Sequence, residues 1–197
     1  MDGLLIDWGG VLTTSMLASF DAFSVREGLG EHAVRRAFRE DPRARQALID
    51  LESGDVALPE FERRLAAALD VDPAGLAERL TAEVRPDDAM RDIVRRVHDH
   101  GVKTALVSNS WRAGDYDGLE HFDVVVLSQE LGIRKPDPRI YEIALQRLNL
   151  PAHRCVFVDD LGGNLKPAKA LGMVTIRHED PAKTVKALER VLLDSPS

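Results

Sequence analysis

Four short stretches of this chain carry residue types that can do chemistry together: Asp7, Ser108-Asn109, Lys135 and Asp159-Asp160. Each is ordinary by itself. An acid after an apolar run commonly caps a helix or closes a turn, Ser-Asn is a frequent turn pair, and a lysine before proline is by default a surface residue. The two adjacent acids are less ordinary, because neighbouring carboxylates at the end of an apolar strand repel each other. A cation beside them would relieve that repulsion.

These residues fall where strands should end. Gly3 to Trp8 is a short apolar run that closes on an acid before Gly9-Gly10, the pattern of a buried parallel strand entering a turn. Residues 15 to about 83 change to helical periodicity. Phe61, Leu65, Ala68 and Leu69 share a face, Pro59 stands near that helix's start, and Gly28, Gly30, Pro42, Gly54 and Pro73 divide the block into four or five short helices. After Pro86 the pattern alternates. A helix with Met90, Ile93, Val94 and Val97 on one face stops at Gly101. Strands are expected at Val102–Val107, Val124–Leu127, Cys155–Val158 and Met173–Ile176, with helices at Pro138–Leu148 (capped by Asp137), Leu165–Leu171 and Pro181–Leu193.

Strands alternating with helices predict an α/β fold, a doubly wound, Rossmann-like parallel sheet covered on both faces. Ligands in such sheets bind beyond the carboxyl ends of the strands, at a topological switch point. The helical block leaves the sheet just after the first acid, so it is placed to lie over the site as a cap. The expected division is a core of residues 1–14 and 84–197 with an all-helical cap of residues 15–83.

Composition narrows the function classes. With 197 residues, 44% of them hydrophobic, the chain can bury a sizeable core. The net charge of −7 argues against a nucleic-acid binder. Arginines between Arg35 and Arg45 are interspersed with Glu40 and Asp41 and read as a solvated helix surface. No apolar run is long enough to span a bilayer, and Asp2 with no basic leader does not read as a secretory signal. Cys155 is the only cysteine, which excludes an internal disulfide and fits a cytoplasmic location. Inside an apolar strand it is expected to be a packing residue, and the six histidines are expected to be surface or packing residues.

In order along the chain, LLIDWGGVLT, LVSNS, RKPDPRIY and VFVDDLGGNLKPAKALGM resemble the four motifs of the haloacid dehalogenase superfamily. The similarity is strongest to the phosphatase-like N-terminal domain of soluble epoxide hydrolases, through Trp111 and the continuation Gly172–Ile176, and it extends to bacterial sugar-phosphate phosphatases with an Asp-x-Gly first motif. The resemblance implies a small phosphate ester as substrate and Asp7 as the nucleophile forming an aspartyl-phosphate. It implies Mg²⁺ held by Asp7, the Gly9 carbonyl and Asp160, with Asp159 and Asn164 behind them. Ser108, Asn109 and Gly10 would bind the phosphoryl group, and Lys135 would neutralise charge on it and on Asp7.

One position departs from that pattern. Phosphatases of the superfamily usually carry a second Asp two residues after the nucleophile, as general acid and base; here it is Gly9. Such help is worth about 10²–10⁴-fold. Three functions stay open: a phosphatase whose acid comes from the cap, water or the substrate; a phosphate-ligand binding or regulatory domain with weak catalysis; and a 2-haloacid dehalogenase, because halide leaves without a proton. The complete set of metal-binding acids favours the phosphatase. Trp8, Trp111, Arg112, Thr13 and Thr14 are further candidates to border the substrate, and the helical block offers a surface for a homodimer.

Overall fold

The computed structural model describes residues 1–111 and 116–194. Strand β1, Gly3–Ile6, is buried along its whole length. Five helices follow: α1 Met16–Arg26, α2 Ala33–Glu40, α3 Pro42–Glu52, α4 Leu58–Leu69 and α5 Leu76–Leu80. The chain then alternates through α6 Asp88–Asp99, β2 Lys103–Ser108, β3 Val124–Leu127, the short α7 Ser128–Leu131, α8 Pro138–Leu148, β4 Cys155–Asp159, α9 Gly162–Ala170, β5 Val174–Arg177 and α10 Pro181–Leu188.

All strand pairs are parallel, in the order β3-β2-β1-β4-β5. This is the α/β doubly wound sheet expected from the alternation. The direction of winding reverses between β1 and β4, which is the switch point where such sheets bind ligands. Two apolar layers cover the sheet. Met90, Ile93, Val94 and Val97 of α6 pack with Leu188 and Leu192 on one face. Ile140, Tyr141, Ala144 and Leu148 of α8 pack with Ala168 of α9 on the other.

The helices end where local chemistry allows. Asp87, Asp137 and Asp180 accept bonds from the first-turn amides of α6, α8 and α10, and Pro138 and Pro181 open the latter two. Gly101 and Gly172, both in the left-handed region, follow α6 and α9.

Several boundaries differ from expectation. β1 stops at Ile6 because Trp8 begins a turn, its carbonyl accepting from Val11 and Leu12. α9 starts at Gly162, where two glycines give no periodicity to read. The last helix changes at Glu189 to a π turn ending at Leu193. β5 is Val174–Arg177 because Met173 closes the turn from α9, its amide donating to Ala168.

Helices α1 to α5 enclose their own apolar cluster, centred on Phe23, Val34, Leu51, Phe61, Leu65 and Leu76. The chain enters and leaves this block side by side. Thr13 bridges Pro86, the Thr14 amide donates to the Arg85 carbonyl at 2.8 Å, and the Asp87 amide donates to Leu12 at 3.0 Å. No helix among the described residues is long and apolar enough to cross a membrane.

Candidate active site

β1 lies between β2 and β4 in register, so Ile6 faces both Leu106 and Val158. The next residues, Asp7, Ser108 and Asp159-Asp160, therefore converge past one edge of the sheet. Carboxylate oxygens of Asp7, Asp159 and Asp160 lie within 4.8 Å of one another. Lys135, 1% exposed, reaches them from the segment before α8; its Nζ is 2.7 Å from Asp7 Oδ1 and 2.7 Å from Asp159 Oδ2.

Three carboxylates thus share one ammonium in a buried place. Burial, reinforced by Asp159 and Asp160, pushes Asp7 up to about 8 even against Lys135. Burial and then Asp159 push Asp160 up to about 6. Burial alone would lower Lys135, but Asp7 and Asp159 outweigh it and hold the ammonium above its usual range. The cluster carries more negative charge than its protein surroundings offset.

The acids differ in how they are held. Asp159 is fully buried and saturated, accepting from Lys135 Nζ, from the Leu161 amide at 2.8 Å and from Asn164 Nδ2 at 3.0 Å to each oxygen. Asp7 accepts from the Trp8 amide and from Lys135 through Oδ1 alone, which leaves Oδ2 for a ligand. Asp160 is half-buried and lines the cleft with Asp7 and Gly9.

Asn109 and Gly10 are each held by hydrogen bonds within the protein. Asn109 lines the cleft and is bonded to the loop that carries Lys135. Its Oδ1 accepts from the Lys135 amide at 2.8 Å and its Nδ2 donates to the Lys135 carbonyl at 3.1 Å, so it clamps the lysine's backbone. The Gly10 amide is given to Thr13 Oγ1 at 3.0 Å. Glycine is needed at this point because its φ is +77° and a Cβ would stand 2.8 Å from Asp160 Oδ2. Ser108 Oγ borders the cleft and accepts from the Tyr116 hydroxyl at 3.1 Å. Thr13 Oγ1 also donates to the Thr14 carbonyl, so it closes the turn.

Three residues join the site without having been read from sequence. Glu52 of α3, 7% exposed, bonds Arg134 at 2.6 Å and accepts from Asn109 Nδ2 at 3.2 Å, tying the helical block to the loop that carries Lys135. Burial raises its carboxyl although Arg134 opposes this. Its signal was periodicity: Ala44, Ala47, Leu51 and Glu52 share the buried face of α3. Tyr116 packs edge-on against Trp8 with ring centroids 4.9 Å apart, and burial pushes its hydroxyl up to about 12. Met16 stands over Gly9, where its Cγ would lie 3.2 Å from an added Cβ.

The helical block and the strand ends enclose a cleft of about 870 Å³. Trp8 and Trp111 both line it. Trp111 also stacks on Phe20 at 6.0 Å and tilts against Phe61 at 5.2 Å, fastening the loop after β2 into the block's core. Arg35 and Arg39 border this cleft and, like Arg36, Arg43 and Arg45, are exposed, as expected of a solvated helix surface. Arg112 lies outside the described residues. Cys155 is buried, and His178 is buried against Thr184 Oγ1 at 3.0 Å.

Comparison with known proteins agrees with this geometry. Over 102 residues the chain is 38% identical to bifunctional epoxide hydrolase 2 of Rattus norvegicus, covering 46% of this chain and 18% of that protein. It is 30% identical over 126 residues to a sesquiterpene phosphatase of Aspergillus oryzae, covering 60% of this chain and 64% of the other. The chain spans a fifth or less of the length of the curated relatives it matches first. A haloacid dehalogenase family enzyme of Bacteroides thetaiotaomicron, solved with magnesium and inorganic phosphate, shares the fold at a TM-score of 0.67 and 21% identity, over 91% of this chain and 94% of that one. Residues 1–172 match the haloacid dehalogenase-like hydrolase family, and with its motif acids gathered at the switch point of a five-stranded parallel sheet, the chain belongs to that family of hydrolases.

Proposed function

We propose that this hydrolase is a magnesium-dependent phosphatase of small phosphate monoesters, acting through an aspartyl-phosphate on Asp7. In this reading residues 1–14 and 84–197 are the catalytic core and residues 15–83 the cap. The observation that carries it is the approach of the Asp7, Asp159 and Asp160 oxygens to within 4.8 Å of one another, with one buried lysine among them.

The donors suit Mg²⁺. They are hard carboxylate oxygens in charge excess, and two of the three acids keep capacity for a ligand. Asp7, Asp160 and the Gly9 carbonyl would hold the ion, while Asp159 is committed to Lys135 and Asn164 and supports from behind. When bound, the ion offsets negative charge on the phosphoryl oxygens and on the nucleophile.

The rest falls to the chain's own groups. The free Asp7 oxygen attacks phosphorus and the ester P–O bond breaks. The alcohol oxygen leaves with the electron pair and takes a proton from water, since position 9 offers none. Water then attacks phosphorus, the P–O bond to Asp7 breaks, and inorganic phosphate departs. Lys135 stays protonated throughout, a fixed charge steadying Asp7 and the incoming phosphoryl group. Ser108 Oγ, which lines the same cleft as Asp7, would donate its hydrogen to the phosphoryl group. A dehalogenase would need no cation, and Asp160 would then only add repulsion.

Phosphate release from an ester panel, with and without Mg²⁺ and beside Asp7→Asn, tests this reading. Metal-dependent release that vanishes in the variant is expected. Release that persists undiminished in Asp7→Asn would refute the covalent route, and tight ligand binding with no release from either protein would make the chain a binding module.

A further inference from the structure

The cleft reaches well beyond the acids. About 870 Å³ is in the upper part of the range for sites that enclose whole organic ligands, far more than a phosphate needs. Its walls therefore bear on the alcohol part of the substrate.

Those walls are largely apolar, and several of their polar groups are already bonded. Met16, Leu17, Phe20, Phe38, Leu48 and Trp111 line the cap side, and Leu161, directly after Asp160, opens into the cleft with 47% of its surface exposed. Away from the acids, several polar side chains of the lining are bonded within the protein. Thr81 Oγ1 donates to the Ala77 carbonyl, Asn109 clamps Lys135, and Arg134 pairs with Glu52. Arg35 pairs with Asp21 and Arg39 with Glu40. Glu78 is exposed. A sugar needs several convergent donors and acceptors for its hydroxyls, because each one buried without a partner costs binding free energy. Away from the acids this cleft presents few that are buried and unbonded.

The position nearest phosphorus tells the same way. At position 9, which has no side chain, the atoms nearest the Cβ position are Met16 Cγ at 3.2 Å and Sδ at 3.8 Å. The cleft wall beside Gly9 is thus the hydrocarbon and sulfur of Met16.

Resting on the phosphatase reading, we propose that the substrate class is phosphate monoesters of apolar alcohols, with the hydrocarbon held between the cap wall and Leu161 and the phosphate at Asp7. Recognition comes from burial of hydrocarbon, so selectivity grows with chain length until the cleft is filled.

The test uses the full chain with Mg²⁺ and propyl, hexyl and decyl phosphate below their aggregation concentrations, beside glucose 6-phosphate and acetyl phosphate. We expect kcat/KM to rise about two- to fourfold per buried methylene and glucose 6-phosphate to be the poorest ester. Phe38→Ser, checked for native circular dichroism, should lower the decyl-to-propyl ratio several-fold. Asp7-dependent release from acetyl phosphate with glucose 6-phosphate equal to or better than decyl phosphate would overturn this inference and leave the phosphatase reading standing. If no substrate turns over, the phosphatase reading fails, and calorimetry of the three alkyl phosphates on Asp7→Asn decides the binding preference by itself: tightening with length supports the apolar site, and equal affinities overturn it.

Discussion

Position 9 determines how fast a phosphatase built on this site can run. Gly9 does not have a positive φ, so a side chain there meets no backbone strain, and Met16, whose Cγ is 3.2 Å from the Cβ position, has to give by only a few tenths of an ångström. Gly9→Asp should restore acid–base help and speed alkyl phosphate hydrolysis by about 10²-fold or more, with little gain on acetyl phosphate, whose leaving group needs no proton. Stopped-time phosphate assays on both esters check this; equal gains would show that the new carboxyl acts otherwise. Lys135 is the opposite case, a single ammonium between two acids 2.7 Å away on either side. Lys135→Met leaves both uncompensated, and breaking a buried pair costs about 3–5 kcal/mol. Denaturant melts should show a loss of that order together with loss of turnover. Turnover lost without destabilisation would mean that the lysine's charge is offset elsewhere in the fold.

Among the elements, α3 decides how the helical block meets the sheet. Glu52 sits on its buried face with Ala44, Ala47 and Leu51 and reaches Arg134 and Asn109 across the interface. Close by, Gly54 passes so near the Gln129 carbonyl that a Cβ would clash with it, and Ser128 Oγ donates to the Glu52 carbonyl. Glu52 has a raised carboxyl because burial outweighs Arg134. Its folded state therefore holds the proton more tightly than the unfolded chain, whose glutamates titrate near about 4.3. Stability from this group is fully present below that value and is lost as pH rises through the raised one. Glu52→Gln does not titrate, so the melting temperature of the parent minus that of the variant should fall as pH rises from about 4. A difference that grows with pH would mean the Arg134 pair outweighs burial. The variant should also loosen the Asn109 clamp and lower kcat, which a steady-state assay measures.

At the scale of the whole molecule, the acid cluster joins the ends of β1 and β4, so anything that relieves its repulsion stabilises the sheet where its winding reverses. A ligand present at 100 times its Kd adds about 2.7 kcal/mol. For a chain of this size each kcal/mol moves the midpoint by about 2–4 °C. Saturating Mg²⁺ should therefore raise the melting temperature by about 5–10 °C, chelation should reverse the gain, and Asp160→Asn should abolish it. Scanning calorimetry of both proteins with and without chelator checks this; a midpoint indifferent to Mg²⁺ in the parent would remove the metal from the site.

The sequence by itself determined the sheet and the acids at its edge. Strand and helix periodicities differ, parallel strands require crossovers, and polar residues closing buried apolar strands must emerge at the same edge, so Asp7, Ser108 and Asp159-Asp160 could be placed together before any coordinates. Only the tertiary structure decided which of those groups are free to act. Asn109 is bonded to Lys135 and to Glu52, and hydrogen-bond partners distant along the chain leave no periodic trace. The cleft's character was equally hidden. Met16, Phe38 and Glu52 look like ordinary residues of amphipathic helices until the block folds back over the strand ends, because which helix face meets another unit depends on packing between segments and not on the pattern within one.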